Sequence, residues 1–363
     1  MCYYMKSKKI YILGAGCSVN YGYPLAKGFL VALKQYRSLL ERRENCERLK
    51  QYLTNTITLL EKHRAPTIDR LVRWFEDEAG RQKQRLPLAV GGIESNRLEQ
   101  EVEEKIRDAK IVTVALFLER EAAAWQSELS SYSDFLHIVF DGNHNSDTLQ
   151  STSDCVFSFN YDRLFEMAFT DYFKLGGNEN CYGTKWLNAG LNFSDGKASD
   201  FAPDQFCFLK LHGTAAMRVN ERHGESRYDA NALRKAEWII DDNFFWPAGR
   251  QTSTIPSENP EPLIVFPHEK DRAREGNTRF PFDNYIQTTW DQAEKVIEDA
   301  EQIWVIGYSF DPTDRKSVFK LLRKNKANCD IIVQNPEAEK ICNELKLRYS
   351  DLALRLKPLS NSF

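Results

Sequence analysis

The sequence predicts an α/β protein in which a Rossmann-like parallel sheet is flanked by helices. Short apolar runs rich in β-forming residues recur along the chain, and each one ends at a glycine or a polar turn. These runs are continuously apolar, as in parallel strands covered on both faces, and segments with helical periodicity fit between them. Ligands of such sheets bind beyond the carboxyl ends of the strands, so functional residues are expected directly after these runs. The runs that we interpret as strands are residues 9–13, 155–159, 206–211, 263–266, 303–306 and 331–333.

Length and composition predict an ordinary globular chain. The 363 residues are 42% hydrophobic and 28% charged, and the formal net charge is -3. A single domain over residues 1–363 is expected. Within it we expect a mostly helical insertion at 35–150, where apolar residues such as Leu71, Trp74 and Phe75 recur at helical spacing. The charge balance gives no general attraction to nucleic acid or anionic lipid, so any role of nucleic acid is expected to be indirect.

Cysteine spacing and hydropathy disfavour several classes of protein. No two of the eight cysteines stand at the C-x-x-C spacing that presents both thiolates to one metal, so we expect neither a zinc ribbon nor another metal site. No apolar run approaches the ~20 residues of a membrane span, and the first residues contain too short an apolar run for a signal peptide. We therefore expect a cytoplasmic protein with free thiols and no membrane contact.

A glycine-rich turn follows the first apolar run. The segment from Gly14 to Pro24 has the sequence GAGCSVNYGYP. A strand, a glycine turn and a following helix can direct backbone N–H groups at a phosphate. The third glycine arrives only at Gly22, so the segment lacks the G-x-G-x-x-G spacing of ordinary dehydrogenases. The alternatives are nucleotide binding and a generic tight turn between a strand and a helix.

Polar side chains follow the next two runs. Asn160 and Asp162 stand directly after residues 155–159, and an amide with a carboxylate suits a ribose or a carboxamide. The alternative is that they form a turn and cap the helix that follows. His212 stands after residues 206–211 and is followed by glycine, so it is a candidate general base. The alternative is a histidine that only satisfies backbone groups.

Two later strand ends carry weaker signals of the same kind. Gly307 and Ser309 follow residues 303–306, and Asn335 follows residues 331–333. A glycine–serine turn and an asparagine at successive strand ends would complete an adenosine pocket. Simple turn chemistry is again the alternative.

Taken in order, these motifs resemble the sirtuin superfamily. The segments GAGCS with the following GYP, then SFNYD, KLHG, IGYSF and IIVQN occur in the family's order between residues 9 and 336. The closest resemblance is to the bacterial branch of NAD hydrolases associated with defence against phage. This resemblance implies a sirtuin-like NAD-binding fold and cleavage of the bond between nicotinamide and ribose in NAD+.

The resemblance also implies roles for individual residues. Asn160 would hold the nicotinamide ribose or an attacking water, Asp162 would bind the nicotinamide carboxamide, and His212 would be the general base on the ribose. Phe159 is grouped with the NAD-binding residues. Four residues of the first loop would meet the NAD phosphates and the nearby ribose: Gly14, Ala15, Gly16 and Ser18. Three residues would enclose the adenosine half: Gly307, Ser309 and Asn335.

Departures from the deacylase pattern favour the hydrolase branch. Residues 213–266 contain no cysteine, so the four-cysteine zinc ribbon of sirtuin deacylases is missing, and the helical insertion is larger than theirs. Because unchecked NAD+ hydrolysis would kill the cell, we expect gating by a homo-oligomer, by a small nucleotide, or by a partner protein encoded nearby, such as a translocase-type ATPase or another sensor. Two alternatives stay open: an NAD-dependent protein deacylase or ADP-ribosyltransferase, and a non-catalytic scaffold that binds NAD or ADP-ribose.

Overall fold

A computed structural model describes most of the chain. The described residues are 8–43, 46–85, 91–125, 129–174, 206–219, 261–267, 269, 283–312 and 314–361. All the residues proposed above for the site are among them. Most of 213–266, where a zinc ribbon would be sought, lies outside the described residues.

The strands form one six-stranded sheet and a separate pair. In chain order the described strands are β1 (Lys9–Leu13), β2 (Cys155–Ser158), β3 (Cys207–Lys210), β4 (Gly213–Val219), β5 (Glu261–Ile264), β6 (Gln302–Ile306), β7 (Ile331–Gln334) and β8 (Leu356–Leu359). The large sheet has the order β3-β2-β1-β6-β7-β8, and every neighbouring pair in it is parallel. Counted among themselves, its strands follow the order of doubly wound dinucleotide-binding folds, with the reversal of order between β1 and β6. The predicted α/β class with a Rossmann-like parallel sheet is confirmed.

Helices cover this sheet and make up most of the segment between β1 and β2. The described helices are α1 (Phe29–Leu40), α2 (Glu47–Lys62), α3 (Ile68–Arg85), α4 (Gly91–Trp125), α5 (Ser130–Val139), α6 (Leu164–Tyr172), α7 (Asp283–Val296), α8 (Arg315–Leu322) and α9 (Ala338–Arg348). Helices α2 to α5 and the second half of α1 lie within residues 35–150, where the sequence predicts a mostly helical insertion. No helix of the described residues combines the length and the apolar character needed to cross a membrane.

Helix α4 is the buried helix of this segment. All residues from 109 to 118 are buried, and α4 packs against α2, α3 and β5. A helix that is apolar around its whole circumference is stable only when other elements surround it. Its one buried lysine in this stretch, Lys110, lies 3.0 Å from the carboxylate of Glu269, and both side chains are fully buried.

Three strands differ from the sequence-based expectation, and one of them, β4, was not predicted. The run at 263–266 is not part of the parallel sheet, because β5 pairs antiparallel with β4. Strand β4 begins only three residues after β3 ends, which is too short for a parallel crossover, so the chain leaves the large sheet at Gly213 (φ 76°). The edge strand β8 was not predicted, since its sequence LKPL is short, is interrupted by a lysine and contains a proline that only an edge strand tolerates.

Candidate functional site

The candidate residues lie along the carboxyl edge of the parallel sheet. The β1–β2 register pairs Leu13 with Ser158, and the β2–β3 register pairs Ser158 with Lys210. Asn160 lies two residues after Ser158, and His212 lies two residues after Lys210. They are therefore on adjacent loops, next to the loop that follows β1. This is the edge at which doubly wound sheets bind ligands.

The glycine loops after β1 and β6 pack directly on each other. Gly14 N–H donates to the carbonyl of Ile306 at 2.9 Å, and Gly16 N–H donates to that of Gly307 at 2.8 Å. A Cβ on Gly14 would lie 2.6 Å from Cα of Tyr308, and one on Gly16 would lie 2.7 Å from the oxygen of Gly307. Gly307 itself has φ 62°. The close approach of the two loops therefore requires glycine at these positions. The N–H groups of Gly14 and Gly16 already donate within the protein.

The first loop continues as a 3-10 helix over Ala15–Tyr21, which ends at Gly22 with φ 81°. Ala15 is exposed at the start of this helix, whereas the side chain of Ser18 is buried. The loop therefore has an outer surface that a ligand can reach and an inner side chain that faces the loop after β2.

A hydrogen-bond network joins these two loops to helix α5. Ser18 Oγ donates to Asp162 Oδ2 at 2.7 Å. Asn160 Nδ2 donates to the carbonyl of Gly14 at 3.0 Å and to Ser18 Oγ at 3.3 Å. The hydroxyl of Tyr132 lies 3.0 Å from Ser18 Oγ. Because the single hydroxyl proton of Ser18 is directed at Asp162, both Tyr132 and Asn160 donate to Ser18.

The network fixes the orientation of the Asn160 amide. A backbone carbonyl only accepts, so the amide nitrogen must face the carbonyl of Gly14. The other amide atom, Oδ1, is buried and has no hydrogen-bond partner among the described residues. An unsatisfied buried acceptor costs about 1–3 kcal/mol. This oxygen is therefore a candidate contact for a ligand hydroxyl or a water molecule.

Asp162 has a structural role as well as a place in the candidate site. Its Oδ1 accepts from the N–H of Leu164, two residues further on, at 3.1 Å, which is the turn that the sequence allowed as an alternative. Burial raises the pKa of Asp162, and the charge of Lys210 and the hydrogen bonds from Ser18 and Leu164 act in the opposite direction. Both carboxylate oxygens are thus engaged by protein groups.

His212 is buried in an aromatic environment and contacts an acid. Its Nε2 lies 3.2 Å from Oδ1 of Asp314, and both side chains are almost fully buried. The ring of Phe159 meets the imidazole edge-on at 4.9 Å and stacks on the ring of Tyr308 at 4.8 Å. The predicted residues Phe159 and His212 therefore lie side by side.

The residues assigned to the adenosine half are more accessible. Ser309 is exposed, and Gly307 and Asn335 are partly exposed. Asn335 Oδ1 accepts from the N–H of Glu337 at 2.9 Å, so this side chain also forms the turn that the alternative interpretation predicts.

Two residues of the site were not predicted. Tyr132 belongs to the helical segment and carries no motif. Asp314 ends the segment DPTD that follows the motif at 307–310, and an acid shortly after a candidate strand end was the signal available for it. Both reach the site only through tertiary packing.

Fold and site define an α/β protein with a Rossmann-like sheet and a polar, largely buried candidate site beside the point where the strand order reverses. Within the described part of the chain, no group of three or more His, Cys, Asp or Glu residues is placed to hold a metal ion. No protein-family model and no curated protein matches the chain.

Proposed function

We propose that the chain is an NAD+ glycohydrolase related to the bacterial NAD hydrolases of the sirtuin superfamily. The observation that carries the proposal is the orientation of Asn160, whose Oδ1 is buried and unpaired while the rest of its amide is held by Gly14 and Ser18. A fixed acceptor at this edge of the sheet suits a ribose hydroxyl or the water that attacks the ribose.

The reaction converts NAD+ and water into nicotinamide, ADP-ribose and one proton. The bond between C1′ of the ribose and the nicotinamide nitrogen breaks, and its electron pair leaves with the neutral nicotinamide. Positive charge develops on the ribose as that bond lengthens, and water then forms the new bond to C1′. A site for this chemistry must hold the ribose, favour the cationic character and supply water from one face.

His212 accepts the proton in this proposal, and Asp314 orients it. A carboxylate at Nε2 favours the tautomer with the proton on that nitrogen, so Nδ1 is the basic atom. In the same proposal the loop at Gly14–Ser18 receives the phosphates and the nearby ribose, and Gly307, Ser309 and Asn335 enclose the adenosine half. Asp162 would meet the carboxamide, or act by holding Ser18 in place.

The contrast in exposure supports gating. Asn160 is 6% exposed and His212 is 4% exposed, whereas Ala15 and Ser309 are exposed. NAD+ therefore has access to its phosphate and adenosine contacts before it has access to the reacting groups. An oligomer, a partner protein or a small nucleotide that opens the inner part would switch on an effector of defence against phage.

The same burial favours one alternative, a scaffold that binds NAD or ADP-ribose without cleaving it. Tight binding of NAD+ by the full chain without release of nicotinamide at any chain concentration would support that scaffold and contradict the hydrolase. Formation of O-acetyl-ADP-ribose from an acetylated peptide would instead support a deacylase.

The test compares two buried asparagines. Asn160→Ala should lower nicotinamide release by at least about 100-fold, because it removes the oriented acceptor. Asn325→Ala is the matched control, since Asn325 is also buried but both ends of its amide are satisfied within the protein, and it precedes the amino end of β7, at the edge of the sheet opposite the candidate site. Activity of Asn160→Ala equal to that of Asn325→Ala, per folded molecule, would refute the assignment.

A further inference from the structure

Helix α5 and the loop after β1 each have a tyrosine whose hydroxyl contacts the other element. Tyr132 on α5 reaches the loop, where its hydroxyl lies 3.0 Å from Ser18 Oγ. Tyr21 on the loop reaches α5, where its hydroxyl accepts from the N–H of Ser131 at 3.0 Å. The two tyrosine rings are stacked with their centroids 5.9 Å apart. The first amides of a helix have no partner within the helix, so Tyr21 satisfies a group that the fold leaves open.

The hydroxyl of Tyr132 acts as a donor to Ser18 in this network. Ser18 donates its own proton to Asp162, so the oxygen of Ser18 receives from Tyr132. Burial raises the pKa of Tyr132 far above its usual value, which keeps the hydroxyl protonated as a donor at any physiological pH. The hydroxyl is therefore a constant donor to the serine that also holds Asn160.

The rest of α5 packs on the sheet and on α6, so Tyr132 moves only if the helix moves. Phe135, one turn further along, packs edge-on against Tyr11 of β1 at 5.2 Å and against Phe165 of α6 at 6.3 Å. Tyr132 itself meets Phe165 at 6.4 Å. A displacement of α5 would withdraw the Tyr132 hydroxyl from Ser18 and loosen the amide of Asn160.

We propose that Tyr132 is a positioning residue for the reaction, through which the helical segment between β1 and β2 holds Asn160 in its active orientation. The proposal rests on the proposed function for its chemistry and names the element by which that site is regulated. Tyr132 does not touch the reacting atoms in this scheme. It acts on Ser18, and Ser18 acts on Asn160.

The test is Tyr132→Phe, which removes one hydroxyl and keeps the ring. Tyr36→Phe is the matched control, because Tyr36 is also fully buried and its hydroxyl has no partner among the described residues. Nicotinamide release is measured at the chain concentration at which the parent is fastest. We expect kcat to fall about tenfold in Tyr132→Phe, the effect of one buried hydrogen bond, with KM for NAD+ near that of the parent. Tyr36→Phe should retain the parent values.

A second measurement does not depend on activity. Hydrogen–deuterium exchange should become faster in residues 15–22 and 129–139 of Tyr132→Phe, and not in those of Tyr36→Phe. If exchange is faster in Tyr132→Phe but the parent releases no nicotinamide, the hydrolase proposal is refuted. The coupling of α5 to Ser18 would still stand. An active parent with unchanged kcat in Tyr132→Phe, or unchanged exchange in both segments, would overturn the positioning role.

Discussion

The carboxylate of Asp314 lies 3.2 Å from Nε2 of His212, although the two residues come from opposite arms of the sheet. His212 follows β3, at one edge of the sheet, and Asp314 lies in the loop between β6 and α8, beyond the point where the strand order reverses. The candidate site therefore spans the carboxyl ends of four neighbouring strands. His212 and Asp314 are each held by a different half of the fold.

Replacing this acid tests the pair without changing its shape. Asp314→Asn keeps the volume of the side chain but can donate to the imidazole, and so favours the wrong tautomer. We expect nicotinamide release to fall by about 10- to 100-fold, within the range of general acid–base contributions. Binding of ADP-ribose, measured by calorimetry, should stay near the parent value because the phosphate and adenosine contacts are untouched.

Asp154→Asn is the control for that substitution. Asp154 is also buried, but it lies at the amino edge of the sheet, where its Oδ1 accepts from the N–H of Lys9 at 2.9 Å. Equal losses of activity in the two variants would mean that Asp314 acts only through stability.

The sequence predicted positions along the strands better than contacts between elements. Asn160 and His212 were found because parallel strands end at a common edge, and their apolar runs show where each strand stops. Asp314 and Tyr132 were missed as site residues because their contacts depend on how a loop and a helix pack, which no local pattern records. The burial of the catalytic candidates was not predicted for the same reason.

Gly307 should be far less tolerant of alanine than Gly22. Both have positive φ, 62° and 81°. A Cβ on Gly307 would lie 2.6 Å from the backbone nitrogen of Cys17, whereas a Cβ on Gly22 would meet nothing within 4 Å. Gly22→Ala should therefore cost about 1 kcal/mol of unfolding free energy, from backbone strain alone. Gly307→Ala should cost several times more, and urea unfolding measures both. Equal costs would show that the two glycine loops do not pack as described.

Asp108 should make helix α4 less stable at high pH. Burial, and then the charge of Glu104 one turn away, raise the pKa of Asp108 to about 6. Its folded pKa lies above its unfolded pKa, so its contribution to stability is full below the unfolded value and is lost as pH rises through about 6. Asp108→Asn should raise the unfolding free energy at pH 8 by up to about 1 kcal/mol, a value reduced for solvent screening, and should have little effect near pH 4. An effect independent of pH in urea unfolding would contradict this.

The buried pair of Lys210 and Glu166 should stabilise the fold only as a pair. Lys210 Nζ lies 3.1 Å from Glu166 Oε1, both side chains are buried, and burial raises the pKa of Glu166. Lys210→Met leaves a carboxylate without its cation and should cost about 3–5 kcal/mol, whereas adding Glu166→Leu should recover most of that loss. Recovery should be incomplete, because Lys210 also donates to the backbone carbonyl of Asp162. In addition, the charge of Lys210 lowers the pKa of the Asp162 side chain. A double-mutant cycle from urea unfolding gives the coupling energy, and additive losses would show that the two side chains do not interact.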